Sequence, residues 1–290
     1  MSIQAIHDLT HARHEMVRLQ LAARGIRDPR VLEAFRTVPR EAFVPEHLAE
    51  FAYEDSPLPI GEGQTISQPY IVALMVEALE LKPGDRVLEV GTGSGYAAAI
   101  LARVASEVYT IERIQDLAEA ARARCRSLGL SNVHVIHGDG SLGWLEQAPY
   151  DAIVVAAGGP EAPRALLAQL RVGGRLVIPV GPSLRLQRLV CIRRTGDDAF
   201  EEEELTEVRF VPLVGAQGWG KQAGTSPSRP RGEETRTGAI STLVRESAEA
   251  IPSIEGAQIG PLLDRVGDAR IVLLSEATHG TSDTGRKPSS

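Results

Sequence analysis

Apolar positions in residues 9–43 recur with helical spacing. Met16, Leu19 and Ala23 fall on one stripe, Gly25 interrupts it, and a second helix is predicted through Val31, Leu32 and Phe35. Pro45, Pro57, Pro59, Gly61 and Gly63 then break the pattern, so an irregular segment is expected up to Thr65-Ile66-Ser67-Gln68-Pro69, followed by a helix over 70–81. A loop of that length inside a compact domain usually has a task. After Lys82-Pro83-Gly84-Asp85 the period alternates between two and 3.6. Strands are predicted at 86–90, 108–111, 133–137, 152–156 and 175–179, with helices at 96–104, 115–128 and 162–170 between them. Strands separated by helices pair in parallel through right-handed crossovers, which predicts a doubly wound α/β sheet behind an N-terminal helical flank. Apolar stretches at 186–193 and 208–213 predict a terminal antiparallel pair, with the acidic run 201–204 as a solvated turn between them.

Composition narrows the partners. The 290 residues are 43% hydrophobic and 24% charged, enough to bury a substantial core. The formal net charge of −7 offers no broad basic field for phosphate backbones, so nucleic acid is set aside as a partner. The two cysteines, Cys125 and Cys191, fit neither a metal knuckle nor a disulfide framework and are expected to be reduced thiols. The polar start Met1-Ser2-Ile3-Gln4 lacks a secretory pattern, and no apolar run is long enough to span a bilayer. A cytoplasmic protein with no membrane partner is the expectation.

The chemistry concentrates after the first parallel strand. Val87-Leu88-Glu89-Val90-Gly91-Thr92-Gly93-Ser94-Gly95-Tyr96 places a hydrophobic strand before a turn with alternating glycines, where the backbone can approach a ligand closely. The spacing G-x-G-x-G differs from the dinucleotide pattern G-x-G-x-x-G. Glu89 argues the same way, because a carboxylate there repels a pyrophosphate yet can hold an ammonium. Glu112, at the end of the second strand, can accept two ribose hydroxyls, and Asp139 in His137-Gly138-Asp139-Gly140 can accept from an adenine amino group. Together these acids describe a nucleoside carrying a cationic amino acid: S-adenosylmethionine. The bland alternative is a tight turn whose acids merely cap helices.

At this point the residues resemble the protein-L-isoaspartate (D-aspartate) O-methyltransferase family. The likeness runs through Val38-Pro39-Arg40, Gly63-Gln64-Thr65-Ile66-Ser67-Gln68-Pro69, the glycine turn, Gly138-Asp139-Gly140, Ala148-Pro149-Tyr150-Asp151 and Phe210-Val211-Pro212-Leu213-Val214. It covers about three quarters of the chain, and the segment from Thr65 to Pro69 is its most distinctive part. The resemblance implies a Rossmann-like methyltransferase fold that transfers methyl to the α-carboxylate of an L-isoaspartyl residue, the first step of protein repair. It implies that Ser67 lies at that carboxylate, that Gln64, Thr65 and Val214 help shape the substrate pocket, and that Glu89, Gly91, Thr92, Gly93, Glu112, Asp139 and Gly140 contact the cofactor. It also implies that isoaspartyl-containing peptides and proteins are the partners of a monomer. Without the resemblance, Ser67 reads as a helix N-cap before Pro69. One departure is Ala156-Ala157-Gly158-Gly159-Pro160, where many members carry alanines; extra glycine is expected to loosen the substrate rim. A methyltransferase for a small molecule or RNA, and a non-catalytic cofactor-binding regulator, are the rival readings.

Other features carry less. His7, His11 and His14 share a helical face, but no carboxylate or cysteine completes a metal set. His134 and His137 are given no chemistry, and Trp144 reads as a core or rim residue. Composition shifts to Gly, Ser, Pro and charge over 215–236, which predicts a flexible linker. Farther on, Ile271-Val272-Leu273-Leu274-Ser275-Glu276-Ala277-Thr278-His279-Gly280-Thr281 resembles the opening motif of the erythromycin esterase family, without the elements that complete such a site. The expected organisation is therefore a methyltransferase domain over 1–215, a linker over 216–250 and an incomplete esterase-like fragment over 251–290.

Overall fold

The computed structural model describes residues 3–220. Helix α1 (Ile3–Glu15) passes into a π-helical turn, Met16–Leu21, and a 3-10 turn that Gly25 ends with φ 105°. The π turn changes which side chains face inward. Met16, Val17 and Leu21 are buried, whereas Leu19 and Ala23, expected on the same stripe as Met16, are exposed. An i→i+5 repeat brings Met16 and Leu21 into line, which a 3.6-residue period does not. Helix α2 (Pro29–Thr37) starts on the Asp28 side chain, which accepts from Arg30 N at 2.8 Å, and buries Val31, Ala34 and Phe35. The segment expected to be irregular contains 3-10 turns at Arg40–Phe43 and Glu46–Phe51 and an antiparallel hairpin, β1 (Leu58–Gly61) and β2 (Gln64–Ile66). Helix α3 (Pro69–Ala78) follows it.

The alternating region folds as β3 (Arg86–Val90), α4 (Tyr96–Leu101), β4 (Glu107–Glu112), α5 (Gln115–Ser127), β5 (Val133–His137), β6 (Tyr150–Val155), α6 (Arg164–Gln169) and β7 (Leu170–Ser183). Strands β8 (Leu186–Arg194) and β9 (Phe200–Val208) complete a seven-stranded sheet in the order β5-β4-β3-β6-β7-β8-β9. Pairings from β5 to β7 are parallel, and those of β8 and β9 antiparallel, as the pattern predicts. Apolar side chains pack on both faces of the sheet, with the N-terminal flank covering one of them. No helix among the described residues is long and apolar enough to cross a membrane.

The last strand departs from expectation. The acidic run is not a turn: Glu201, Glu202, Glu203 and Glu204 lie within β9, opposite Arg193, Ile192, Cys191 and Val190. The turn falls at 195–199, where Thr195 N donates to Ala199 O. An outermost strand faces water, so four carboxylates there cost little and discourage pairing with another chain. Of the segment 208–213, expected to be that strand, only Val208 belongs to β9; the rest leaves the sheet and runs beside β6's exit.

Gln187 directs that departure. Its buried amide accepts from Phe210 N at 2.7 Å and donates to Phe210 O at 3.2 Å, replacing a neighbouring strand. Gly158 makes room for it, since a Cβ at 158 would lie 2.4 Å from Gln187 Nε2. Gly158 N donates to Val211 O and Gly158 O accepts from Leu213 N, both at 2.8 Å. The glycine expected to loosen the rim therefore fixes it. We predict that Gly158→Ala lowers stability by about 1–3 kcal/mol through overpacking, and that the same change costs much less in a Gln187→Ala background. Urea midpoints of the two single variants and the double variant check this; strict additivity would contradict it.

Candidate active site

Glu89 stands in β3 opposite Thr110 of β4 and is 1% exposed. Thr110 Oγ1 donates to Glu89 Oε2 at 2.5 Å, and the Thr92 and Thr110 hydroxyl oxygens are 2.6 Å apart. Glu89 Oε1 is buried with no hydrogen-bond partner among the described residues. Burial pushes this carboxyl up to about 8; the Thr110 hydrogen bond opposes the shift and the charge of Glu112 adds to it. A buried acid with an unused oxygen fits an ammonium donor.

The turn after β3 brings Glu112 alongside. Gly93 has φ 51°, in the left-handed region, and its N–H donates to Glu112 Oε2 at 2.8 Å, while Ile114 N donates to Oε1 at 2.9 Å. Each oxygen retains a lone pair for a further donor. Gly140 closes the same corner, where a Cβ would fall 2.4 Å from Val90 Cγ1.

Ser67 arrives from the other side, between β2 and α3. Gln68, not Ser67, occupies the N-cap position of α3, and no side chain caps that helix. The helix-cap reading of Ser67 does not hold, and its hydroxyl makes no hydrogen bond among the described residues. Its backbone is pinned instead. Arg40, 0% exposed, donates from Nη2 to Ser67 O and from Nε to Ala52 O, each at 2.8 Å. Its guanidinium lies 4.9 Å from the centre of the Tyr96 ring, which Phe35 and Phe43 meet edge-on. Burial lowers the Arg40 pKa. On the following residues, Asp55 accepts from Gln68 Nε2 at 2.6 Å and from Tyr70 N at 3.0 Å.

These groups surround one cavity of about 470 Å³. Gln64, Thr65 and Ser67 form one wall, Glu89, Gly91, Thr92, Gly93 and Glu112 another, and Gly140 and Val214 also line it. Asp139 does not. Its Oδ1 accepts from Ser141 N at 2.9 Å and Ser141 Oγ at 2.7 Å, and its Oδ2 from Ala216 N at 2.7 Å. The carboxylate expected at an adenine is engaged by the protein's own chain.

Asp139 thereby holds residues that composition assigned to a linker. Gln217 N donates to Ser141 Oγ at 3.0 Å, and Trp219 Nε1 to Gly158 O at 2.8 Å, so packing continues to Trp219. The remaining linker and the esterase-like motif with Glu276 and His279 lie outside the described residues. Trp144 packs edge-on against Tyr109, away from the cavity, and no group of three or more metal-ligating side chains occurs among the described residues. Thr110 and Arg40 were not singled out in the sequence. Thr110 could have been found as the polar residue of a buried strand beside Glu89, whereas nothing in Val38-Pro39-Arg40 tells that the arginine is buried.

The family model described as protein-L-isoaspartate(D-aspartate) O-methyltransferase matches residues 11–218. The chain belongs to this family. It is 61% identical over 219 residues to protein-L-isoaspartate O-methyltransferase 2 of Pelobacter propionicus, covering 76% of this chain and 97% of that one. It is 59% identical to protein-L-isoaspartate O-methyltransferase 1 of Geotalea uraniireducens, covering 76% of this chain and all of the relative (100%). Among solved structures, a protein-L-isoaspartate O-methyltransferase superposes with a TM-score of 0.65 at 33% identity, over 71% of this chain and 67% of the other. A Plasmodium falciparum protein described as a β-aspartate methyltransferase, in complex with S-adenosyl-L-homocysteine, gives 0.61 at 29% identity, over 70% and 98%.

The raised Glu89 pKa has a measurable consequence for stability. Its folded pKa of about 8 exceeds its ordinary 4.5, so the native state retains a proton that the unfolded chain has released. That contribution to stability is complete below the ordinary value and is lost as pH rises through the folded one. We predict that the ligand-free wild-type protein loses stability relative to Glu89→Gln between about pH 5.5 and about pH 8.5. Parallel pH dependences of the two unfolding midpoints would contradict it.

Proposed function

We propose that this family member is a protein-L-isoaspartate O-methyltransferase that uses S-adenosylmethionine to esterify the α-carboxylate of L-isoaspartyl residues in damaged proteins. The observation that carries this reading is the pairing, across one cavity, of a buried carboxylate oxygen and a serine hydroxyl, neither having a hydrogen-bond partner among the described residues. The donor supplies a methyl group already activated on a sulfonium. Glu89 Oε1 would take its ammonium, Glu112 its ribose hydroxyls, and the backbone at Gly91, Thr92, Gly93 and Gly140 would let it lie close. Asp139 would act at one remove, by holding the 215–217 segment at the cavity's corner.

An ionised carboxylate is already a nucleophile, so the chain has no need to remove a proton from it. What the residues contribute is position. Ser67 donates one hydrogen bond to the acceptor carboxylate and forms no covalent bond with it, while Gln64, Thr65 and Val214 confine its neighbours. One neutral donor orients the oxygen without quenching it, as a charged clamp would. Fixing the reacting groups in line can lower a barrier by about 7–11 kcal/mol in favourable cases. Arg40 and Asp55 keep Ser67 in place from behind. The free, buried thiols of Cys125 and Cys191 suit a cytoplasmic setting and take no part.

Labelled donor offered with paired peptides, one normal and one isoaspartyl, is expected to give a base-labile methyl ester on the isoaspartyl peptide alone. Methylated RNA or no transfer at all would contradict the reading. Ser67→Ala is expected to lower turnover on that peptide by roughly tenfold or more, in line with loss of an orienting hydrogen bond, with donor affinity within a few-fold. Loss of donor binding would show that Ser67 belongs to the other half of the site.

A further inference from the structure

A second groove, of about 760 Å³, opens from the same point. Thr65, Ser67, Ala156 and Val211 line both it and the cavity described above, so a chain whose carboxylate rests at Ser67 continues into this groove. Its far side is built from the β7–β8 turn, the start of β8 and the residues just after β9. Those elements bring Arg185, Arg188 and Arg209 to it, together with one acid, Glu207. Arg188 is shared with Glu204 at 2.8 Å. Arg185 and Arg209 are exposed and make no hydrogen bond or ion pair among the described residues. In a chain of net charge −7 this is a local reversal of sign. Pro57, Ile71 and Phe210 add apolar surface to the groove.

We propose that this groove receives the residues flanking the isoaspartyl site and selects peptides whose flanks are acidic, with Arg185 and Arg209 as the selecting side chains and Arg188 in support. The inference rests on the isoaspartyl methyltransferase reading. An extended peptide advances at most about 3.3–3.6 Å per residue, so the groove is met within the first few residues beyond the modified one. Guanidinium groups without carboxylate partners gain most from an incoming acid, because no existing pair must be broken. Like charge in the peptide meets repulsion at the same place.

The test uses the full chain and three matched isoaspartyl peptides carrying Glu, Gln or Lys at the two positions on each side of the modified residue. At about 20 mM salt, kcat/KM is expected to fall in the order Glu, Gln, Lys, by roughly two- to fivefold for each ion pair formed or lost. At about 500 mM salt the differences should shrink towards unity, because exposed charges are then screened. The double variant Arg185→Glu, Arg209→Glu should invert the order, with donor affinity reporting that the fold is intact. Equal kcat/KM for the Glu and Lys peptides, or an order untouched by the double variant, would overturn the selectivity while leaving the isoaspartyl reading standing. Donor binding with methylation of none of the three peptides would overturn both.

Discussion

A carboxylate taken out of water must either hold its proton or meet a cation, and among the described residues none brings a cation to Glu89. Its one hydrogen bond, from Thr110, occupies one oxygen and leaves the other bare inside the sheet. Such an arrangement is costly in the empty protein and becomes favourable when an ammonium arrives. The same cost explains the surroundings. Glu112 is stabilised by two backbone N–H groups, that of Gly93 in the glycine turn and that of Ile114 just after β4, so that two acids can share one corner, and the Thr92–Thr110 pair keeps a buried hydroxyl chain satisfied between them.

The Ser67 wall of the cavity is built on the opposite electrical sign from the Glu89 wall. Arg40 is a buried cation whose hydrogen bonds go to carbonyls, among them that of Ser67, and whose charge faces the Tyr96 ring. It acts through the backbone, which leaves the Ser67 hydroxyl without a hydrogen bond among the described residues. The rim opposite Ser67 depends on Gln187, whose amide stands in for a strand and turns 209–214 towards the cavity. Two interior polar side chains, neither of them touching the cavity's acids, thus fix two stretches of backbone that line the cavity.

The order of strands and helices was legible because the apolar period changes cleanly between two and 3.6 from Arg86 onward, and the glycine turn with Glu89 and Glu112 marked the corner that the cavity occupies. What escaped the pattern has physical causes. The π turn at Met16–Leu21 shifts the buried stripe by a residue, which a period count cannot detect. Strand β9 is polar because it is an edge, so its four glutamates imitate a turn. Asp139 looks like a ligand residue in Gly138-Asp139-Gly140, yet its side chain caps the short 3-10 turn Gly140–Leu142 through Ser141, and its partner at 216 is fixed only by tertiary packing. Gly158 illustrates the same limit: a glycine reads as freedom until the amide that fills its missing Cβ is seen.

Calorimetry of S-adenosylmethionine binding in buffers of different ionisation enthalpy, near pH 6.5, addresses the Glu89 arrangement most directly. With Glu89 protonated in the empty protein and ionised against the bound ammonium, close to one proton per donor should be released by the wild type and almost none by Glu89→Gln. The same observed heat in every buffer for the wild-type protein would contradict the account.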